Sequence, residues 1–312
     1  MANKSLLITG IHGFVGTQLT PLLKSGYTIY GLDIVNKKNK AIVETIHWDS
    51  LERVPRCDIV LHLAGKAHLI PKTADEEKVF YDVNLGLTKK LCEGLEKTGL
   101  PKSFIFISTV AVYGLESGED ISEDFPLNGT TPYALSKIQA EAFLTEWCHR
   151  NNVILTILRP SLIAGPNPPG NLGAMIKGIK TGKYLSIGGG KARKSVLMVQ
   201  DIARLIPLVA DRGGIYNVCD SNHPGFRELE RLICRQLNKS GVISIPLFLA
   251  KIVAKTGDFL GKYAPFNSVK LSKMTNSLTF SNEKAKKELD WQPMDVIENF
   301  KININPSELL PN

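Results

Sequence analysis

The chain has 312 residues, room for one large domain or two unequal ones, and enough to bury a core without disulfide or metal staples. Its 43% apolar and 22% charged residues exclude a largely disordered, collagen-like or coiled-coil chain. The net charge of +8 is concentrated: residues 161–212 carry 8 Lys+Arg against 2 Asp+Glu, whereas residues 1–160 carry 17 against 18.

In chain order, the N-terminal run MANKSLLITG meets Gly10 and His12 at once, with no h-region or cleavage site of a signal peptide. Short apolar runs over 5–9, 27–33, 41–47, 58–63, 103–108 and 153–158 predict strands. Helical patterns lie between them over 14–24, 78–97 and 132–150. In the last, Ala134, Ile138, Ala142 and Phe143 repeat at helical spacing, and Lys137, Glu141 and Glu146 are expected to face away. Strands alternating with helices imply βαβ units, hence a Rossmann-type doubly wound parallel sheet with helices on both faces.

After Arg159-Pro160 the composition shifts to glycine and proline, with a short helix expected near 175–180. Helical patterns resume over 201–210, 226–237 and 246–260. The expected organisation is a Rossmann-type domain over 1–160, with a returning segment near 195–220, and a smaller α/β lobe over 161–312. The apolar stretch 245–260 is expected to be lobe core or a partner surface rather than a membrane anchor. Lys251 and Lys255 interrupt it, so no membrane span is expected. The tail after Phe300 is expected to be peripheral.

Cys57, Cys92, Cys148, Cys219 and Cys234 are scattered and never spaced C-x-x-C, which predicts free thiols in a reducing cytoplasm and no metal site. The basic segment has few aromatics and no helical basic face. It suits a small anionic ligand such as a diphosphate, or a solvated loop surface, rather than nucleic acid.

Two constellations carry chemistry. The first is Thr9-Gly10-Ile11-His12-Gly13-Phe14-Val15-Gly16, between a predicted strand and a predicted helix. Gly10 permits the tight turn, Gly13 lets backbone approach a pyrophosphate, and Gly16 lets helix and strand pack closely. The helix start, through Phe14 and Val15, points free N–H groups at phosphate. Asp33, 23 residues after Gly10, ends the second strand. Its carboxylate suits the ribose hydroxyls of adenosine and repels a 2′-phosphate, which favours NAD(H) over NADP(H). Asp49 is expected either at the adenine or as a helix N-cap.

The second is Tyr133-Ala-Leu-Ser-Lys137, preceded by Ser108-Thr109 at a strand end. Tyr133 and Lys137 share a helix face at i, i+4. An ammonium beside a phenol lowers its pKa, so such a Tyr can exchange a proton with a substrate hydroxyl. A hydroxyl from Thr109 or Ser108 is expected to hold the same oxygen. His62 and His68 are expected to be buried or solvated rather than ligands, and Trp147 and Trp291 to pack.

These motifs, with HLAG (62–65), DVNLGLT (82–88), STVAVYG (108–114), LRPSLIAGP (158–166), NLGAMI (171–176) and LDWQP (289–293), run nearly the whole chain in order. The sequence resembles the extended short-chain dehydrogenase/reductases, in the NAD-dependent nucleotide-sugar epimerase/dehydratase branch typified by UDP-glucose 4-epimerases. That resemblance implies Tyr133 as acid/base, Lys137 also on the nicotinamide ribose, and Thr109 as third catalytic group. It places Leu63, Ala64 and Asn84 against the cofactor and Asn171 against the substrate. It implies a homodimer through the helices over 78–97 and 132–150.

Two departures from the family pattern matter. Val110 and Ala111 follow Thr109 where 4,6-dehydratases carry an acid and a base, which disfavours dehydration. Lys194, with Arg193 before it, stands where the family places an Arg on the sugar-nucleotide diphosphate. The expected activity is 4-epimerisation of a UDP-hexose or UDP-N-acetylhexosamine. A 4-keto-sugar reductase using NAD(P)H and a non-catalytic dinucleotide sensor are the alternatives.

Overall fold

Leu6, Leu7 and Ile8 are all fully buried, although successive side chains of a strand point to opposite faces. Both faces of the sheet around them are therefore covered, as in parallel sheets flanked by helices. In the computed structural model, which describes residues 3–260 and 266–303, this strand is β1 (Lys4–Thr9). It leads to α1 (Phe14–Leu23), β2 (Tyr27–Asp33), β3 (Glu44–His47), β4 (Ile59–His62), α2 (Ala74–Tyr81), α3 (Leu87–Thr98) and β5 (Ser103–Ile107). Then come β6 (Gly118–Ile121), α4 (Pro132–Arg150), β7 (Ile154–Pro160), β8 (Leu162–Ala164), α5 (Gly170–Lys180), β9 (Leu185–Ile187), β10 (Val196–Met198) and α6 (Val199–Val209). The rest is β11 (Gly214–Val218), α7 (Phe226–Gln236), β12 (Ile243–Ile245), α8 (Leu247–Leu260), α9 (Ser268–Thr275), β13 (Leu278–Phe280), α10 (Glu283–Leu289) and α11 (Val296–Asn299).

The main sheet has seven parallel strands in the order β11-β7-β5-β4-β1-β2-β3. Thr9, at the end of β1, pairs with Leu32 of β2 on one side and His62 of β4 on the other. The chain thus builds outward from β1 to β3, then crosses back to add β4. Such a reversal opens a crevice at the carboxyl ends of the strands, where open α/β sheets bind ligands. One face of the sheet packs on α1 and α6, through Leu19, Leu23, Ile202 and Ile206. The other packs on α3 and α4, through Leu91, Leu95, Leu144 and Trp147.

The C-terminal part adds three two-stranded sheets, β8–β10, β9–β12 and β6–β13. Its core joins Leu172 and Met175 of α5 to Leu229 and Ile233 of α7. β11 leaves this part and extends the main sheet beside β7.

Several elements differ from their sequence patterns. The helix expected over 78–97 starts at Ala74, where Thr73 caps it by accepting from the Glu76 N–H, and is interrupted by a π-helical turn at Asp82–Gly86. The widened turn puts Asn84 inside, fully buried. α5 begins at Gly170, five residues before the expected start, directly behind Pro168-Pro169. α4 does not turn Lys137 and Glu141 away: both are buried, while Glu146 is exposed. The helix is covered on two sides, by the sheet and by α2 with the π turn, so polar residues enter the interior. α8 is not lobe core along its large apolar residues. Ala250 and Ala254 face inward, and Phe248, Ile252, Val253 and Phe259 are exposed. Trp147 and Trp291 are buried packing residues. Of the tail after Phe300, residues 304–312 lie outside the described residues.

Candidate active site

Because the main strands are parallel, their carboxyl ends meet at one edge, and four loops converge there. The turn after β1 is the first. Gly10 adopts φ +65, and a Cβ on it would lie 2.9 Å from both the N and Cα of Ala64, which follows β4. Only glycine fits between these two loops. A Cβ on Gly16 would lie 2.5 Å from the Ile11 carbonyl oxygen, so α1 lies hard against the turn. Gly13 is the N-cap of α1, and Phe14 and Val15 open its first turn, where helix geometry leaves amide N–H groups without intrahelical acceptors. No acidic residue stands in that turn.

Asp33, at the end of β2, is buried. One carboxylate oxygen accepts from the His12 N–H at 2.9 Å and the other from the Val35 N–H at 3.1 Å. An ionised carboxylate accepts about four hydrogen bonds, so acceptor sites remain for ribose hydroxyls. Ile34 and Val35 beyond it are exposed and apolar. A glycine cradle, a helix start and a carboxylate at the second strand end fit a dinucleotide. Asp49 lies at the surface instead, with its carboxylate on Lys90 and His47. It is not an N-cap; Ser50 occupies that position before the short helical turn Leu51–Arg53.

The loop after β4 carries Leu63, Ala64 and Gly65. The Ala64 N–H donates to the Thr9 hydroxyl at 3.0 Å. Thr9 also bonds His62 Nδ1, and Thr88 bonds its Nε2. Burial, with the Lys137 charge nearby, pushes His62 down to about 3, so it is a neutral core residue. His68 is exposed, with its ring against Gly170. Asn84 makes three hydrogen bonds within the protein. Its amide donates to the Lys66 carbonyl and the Ser136 hydroxyl, and its oxygen accepts from the Lys66 N–H. It therefore ties the β4 loop to α4, with one acceptor site of its oxygen left over.

Tyr133 and Lys137 open α4, which Thr131 caps by accepting from the Ala134 N–H. The Tyr133 side chain faces that of Thr109, just beyond β5, and the Thr109 hydroxyl accepts from the Ala111 N–H at 3.1 Å. Burial raises the Tyr133 phenol, and the neighbouring Thr109 hydroxyl opposes that only in part. The lowering expected from a neighbouring ammonium is not seen in this arrangement. Lys137 Nζ is turned inward, donating to the Ile107 carbonyl at 2.8 Å and lying 4.6 Å from the Phe106 ring centroid. Burial pushes Lys137 down to about 8, with Glu141 holding it up. Lys137 also borders the β4 loop, 3.3 Å from where a Gly65 Cβ would sit.

Ser108 does not share the Tyr133 oxygen. It donates to Glu141, which in turn binds the Arg159 guanidinium through both carboxylate oxygens. Arg159 also donates to the Tyr113 hydroxyl, and Tyr113 donates to Asn217. This buried network lies directly behind Thr109 and was missed by sequence reasoning. Its signal was present in Arg159 of LRPSLIAGP and Tyr113 of STVAVYG, residues quoted for the resemblance but given no role.

Across the crevice, Asn171 is exposed in the first turn of α5. Arg193 is spent on backbone, donating to the carbonyls of Asn222 at 2.6 Å and His223 at 3.0 Å. Lys194 is half-buried, and burial lowers it, with Glu116 opposing.

Comparison with known proteins matches residues 6–219 to the family model described as NAD dependent epimerase/dehydratase family. The chain is 29% identical to N-acetyl-alpha-D-glucosaminyl-diphospho-ditrans,octacis-undecaprenol 4-epimerase of Escherichia coli O157:H7, over 91% of this chain and 89% of that one. It is 26% identical to UDP-glucose 4-epimerase of Vibrio cholerae, over 96% and 94%. Among solved structures, UDP-glucuronic acid 4-epimerase from Bacillus cereus, in complex with UDP-glucuronic acid and NAD, superposes with a TM-score of 0.73. That match covers 95% of this chain and 96% of the other at 19% identity, and shows the shared fold.

Proposed function

The chain belongs to the NAD dependent epimerase/dehydratase family, and from that premise we propose that it is an NAD-dependent 4-epimerase of a UDP-linked hexose or N-acetylhexosamine. The observation that carries this reading is Tyr133 facing Thr109, one helical turn from Lys137 and at the same sheet edge as the Gly10 turn. Gly10, Gly13, Asp33, Leu63, Ala64 and the Phe14 and Val15 amides would hold the dinucleotide. When bound, NAD supplies a hydride acceptor at the sugar C4 that returns the hydride.

The chain's own groups handle the proton. Tyr133 takes it from the sugar 4-hydroxyl and gives it back, and Thr109 fixes the oxygen it is exchanged with. Burial favours the neutral phenol, so proton loss needs a nearby cation; Lys137 is that cation on the same helix face. Turning the 4-keto sugar over between the two hydride steps inverts C4. Val110 and Ala111 after Thr109 move no protons, which disfavours water elimination. With Arg193 held by carbonyls, Lys194 and Asn171 are the residues we assign to the diphosphate and the sugar. The E. coli relative is named for a sugar whose diphosphate is linked to undecaprenol rather than to a nucleoside. Sugar and diphosphate are common to both substrates, and this site's groups address only those. The buried free cysteines suit a cytoplasmic protein, and a homodimer through α2, α3 and α4 completes the reading.

The test is cofactor fate. The chain purified with NAD and incubated with UDP-GlcNAc, UDP-glucose and their C4 epimers is expected to interconvert one pair with no net reduced nicotinamide. Tyr133→Phe is expected to lower kcat by roughly 10²–10⁴ while retaining NAD. Wild-type rates from Tyr133→Phe would sink the proposal. One NAD(P)H consumed per 4-keto sugar would instead make the protein a reductase.

A further inference from the structure

α8 is amphipathic in the reverse sense of a packed helix. Its small residues Ala250 and Ala254 turn inward onto Ile187 and Leu271. Its large ones stand in solvent: Phe259 is 93% exposed, Phe248 63%, Ile252 58% and Val253 55%. At 3.6 residues per turn, Phe248, Ile252 and Phe259 share one direction, with Leu249 and Val253 beside them. Lys251 and Lys255 line one border of that face, and both are exposed. Ile243 of β12, 69% exposed, pairs across to exposed Leu185 of β9 just before α8 begins.

The chain around α8 is rich in lysine, though Lys273 is paired with Glu116 at 3.4 Å. Residues 239–273 contain six lysines and a single acidic residue, Asp258. The Asp258 carboxylate is taken by the Ser268 N–H at 2.9 Å and the Ser268 hydroxyl at 2.5 Å. Soluble monomers rarely leave a contiguous apolar face of this kind bare. A second copy of this chain suits it poorly, since joining two such faces brings two lysine-rich segments together. An apolar helix face bordered by lysines suits the headgroup region of a bilayer, where anionic lipid attracts the lysines and the apolar side chains enter the acyl boundary.

We propose that the α8 face, Phe248, Leu249, Ile252, Val253 and Phe259 rimmed by Lys251 and Lys255, docks this protein on the surface of an anionic lipid bilayer. No helix among the described residues is long and apolar enough to cross a membrane, so the contact is peripheral. Docking stands apart from the proposed reaction.

The test is co-sedimentation of the full chain with vesicles of phosphatidylcholine alone or mixed with phosphatidylglycerol. The wild type is expected to pellet with the mixed vesicles. Phe248→Ser with Ile252→Ser, and separately Lys251→Glu with Lys255→Glu, are each expected to weaken that binding roughly tenfold or more, with unchanged melting temperature. The proposal is overturned if the wild type stays in the supernatant, or if both double variants bind as tightly as it does. It is also overturned if the serine variant merely dissociates a wild-type oligomer that does not bind vesicles. Turnover of a soluble UDP-sugar by the same preparations reports on the proposed reaction alone.

Discussion

Ser108 and Thr109 are chain neighbours whose hydroxyls serve opposite sides of the wall behind β5. Thr109 faces the Tyr133 phenol, and Ser108 donates into the buried carboxylate of Glu141. Successive side chains of an extended segment point apart, so one of the pair reaches the crevice and the other reaches the interior.

The two hydroxyls are therefore separable by mutation. Thr109→Ala is expected to lower kcat by about 10- to 100-fold with little change in melting temperature. Ser108→Ala is expected to leave kcat within a few-fold and cost about 1.5–3 kcal/mol of stability, the value of a hydrogen bond to a charged group. Steady-state kinetics and denaturant unfolding on both variants decide it. Equal kinetic losses would mean that Ser108 also reaches the reacting oxygen.

Glu141→Gln leaves Arg159 buried without its counter-charge; the two side chains are 5% and 4% exposed and 2.7 Å apart. Breaking one side of such a pair costs about 3–5 kcal/mol, and adding Arg159→Met should recover part of it. Urea midpoints for the single and double variants test this. A loss under about 1 kcal/mol in the single variant would show the pair to be dispensable.

Arg193 and Lys194 are expected to divide along a KM-against-stability line. Lys194→Ala should raise KM for the sugar diphosphate roughly tenfold, in keeping with the loss of one charge-assisted hydrogen bond. Arg193→Ala should lower the melting temperature, because the Asn222 and His223 carbonyls lose their donor, and leave KM nearly unchanged. The reverse pattern would return the diphosphate to Arg193.

Asp220 sets a pH dependence. Burial pushes its carboxyl up to about 7 from an ordinary 3.8. One oxygen accepts from the His223 N–H at 3.2 Å, and the other has no hydrogen-bond partner among the described residues. The folded state therefore holds this proton where the unfolded chain has lost it. The contribution is full below pH 3.8 and is lost as pH rises to about 7. Asp220→Asn should remove roughly 2–4 kcal/mol of that decline. Unfolding free energies at pH 4 and pH 8 for both proteins measure it, and parallel pH profiles would refute it.

The strand–helix alternation, the glycine turn and the Tyr133–Lys137 spacing were legible in the sequence because each is a short-range pattern. Buried parallel strands read as apolar runs, Gly10 is marked by its place between strand and helix, and an i, i+4 pair shares a face whatever surrounds it. What periodicity leaves open is which face of an element meets the core. Glu141 was read as outward, yet α4 is covered on two sides and carries it inward to Arg159. The pattern of α8 allows lobe core or a partner surface, and only the packing shows its alanines facing in and its phenylalanines facing out. Arg193 looked free for a phosphate until a loop some thirty residues on supplied the carbonyls that hold it. These outcomes depend on surfaces contributed by distant parts of the chain, and only the tertiary structure brings those surfaces together.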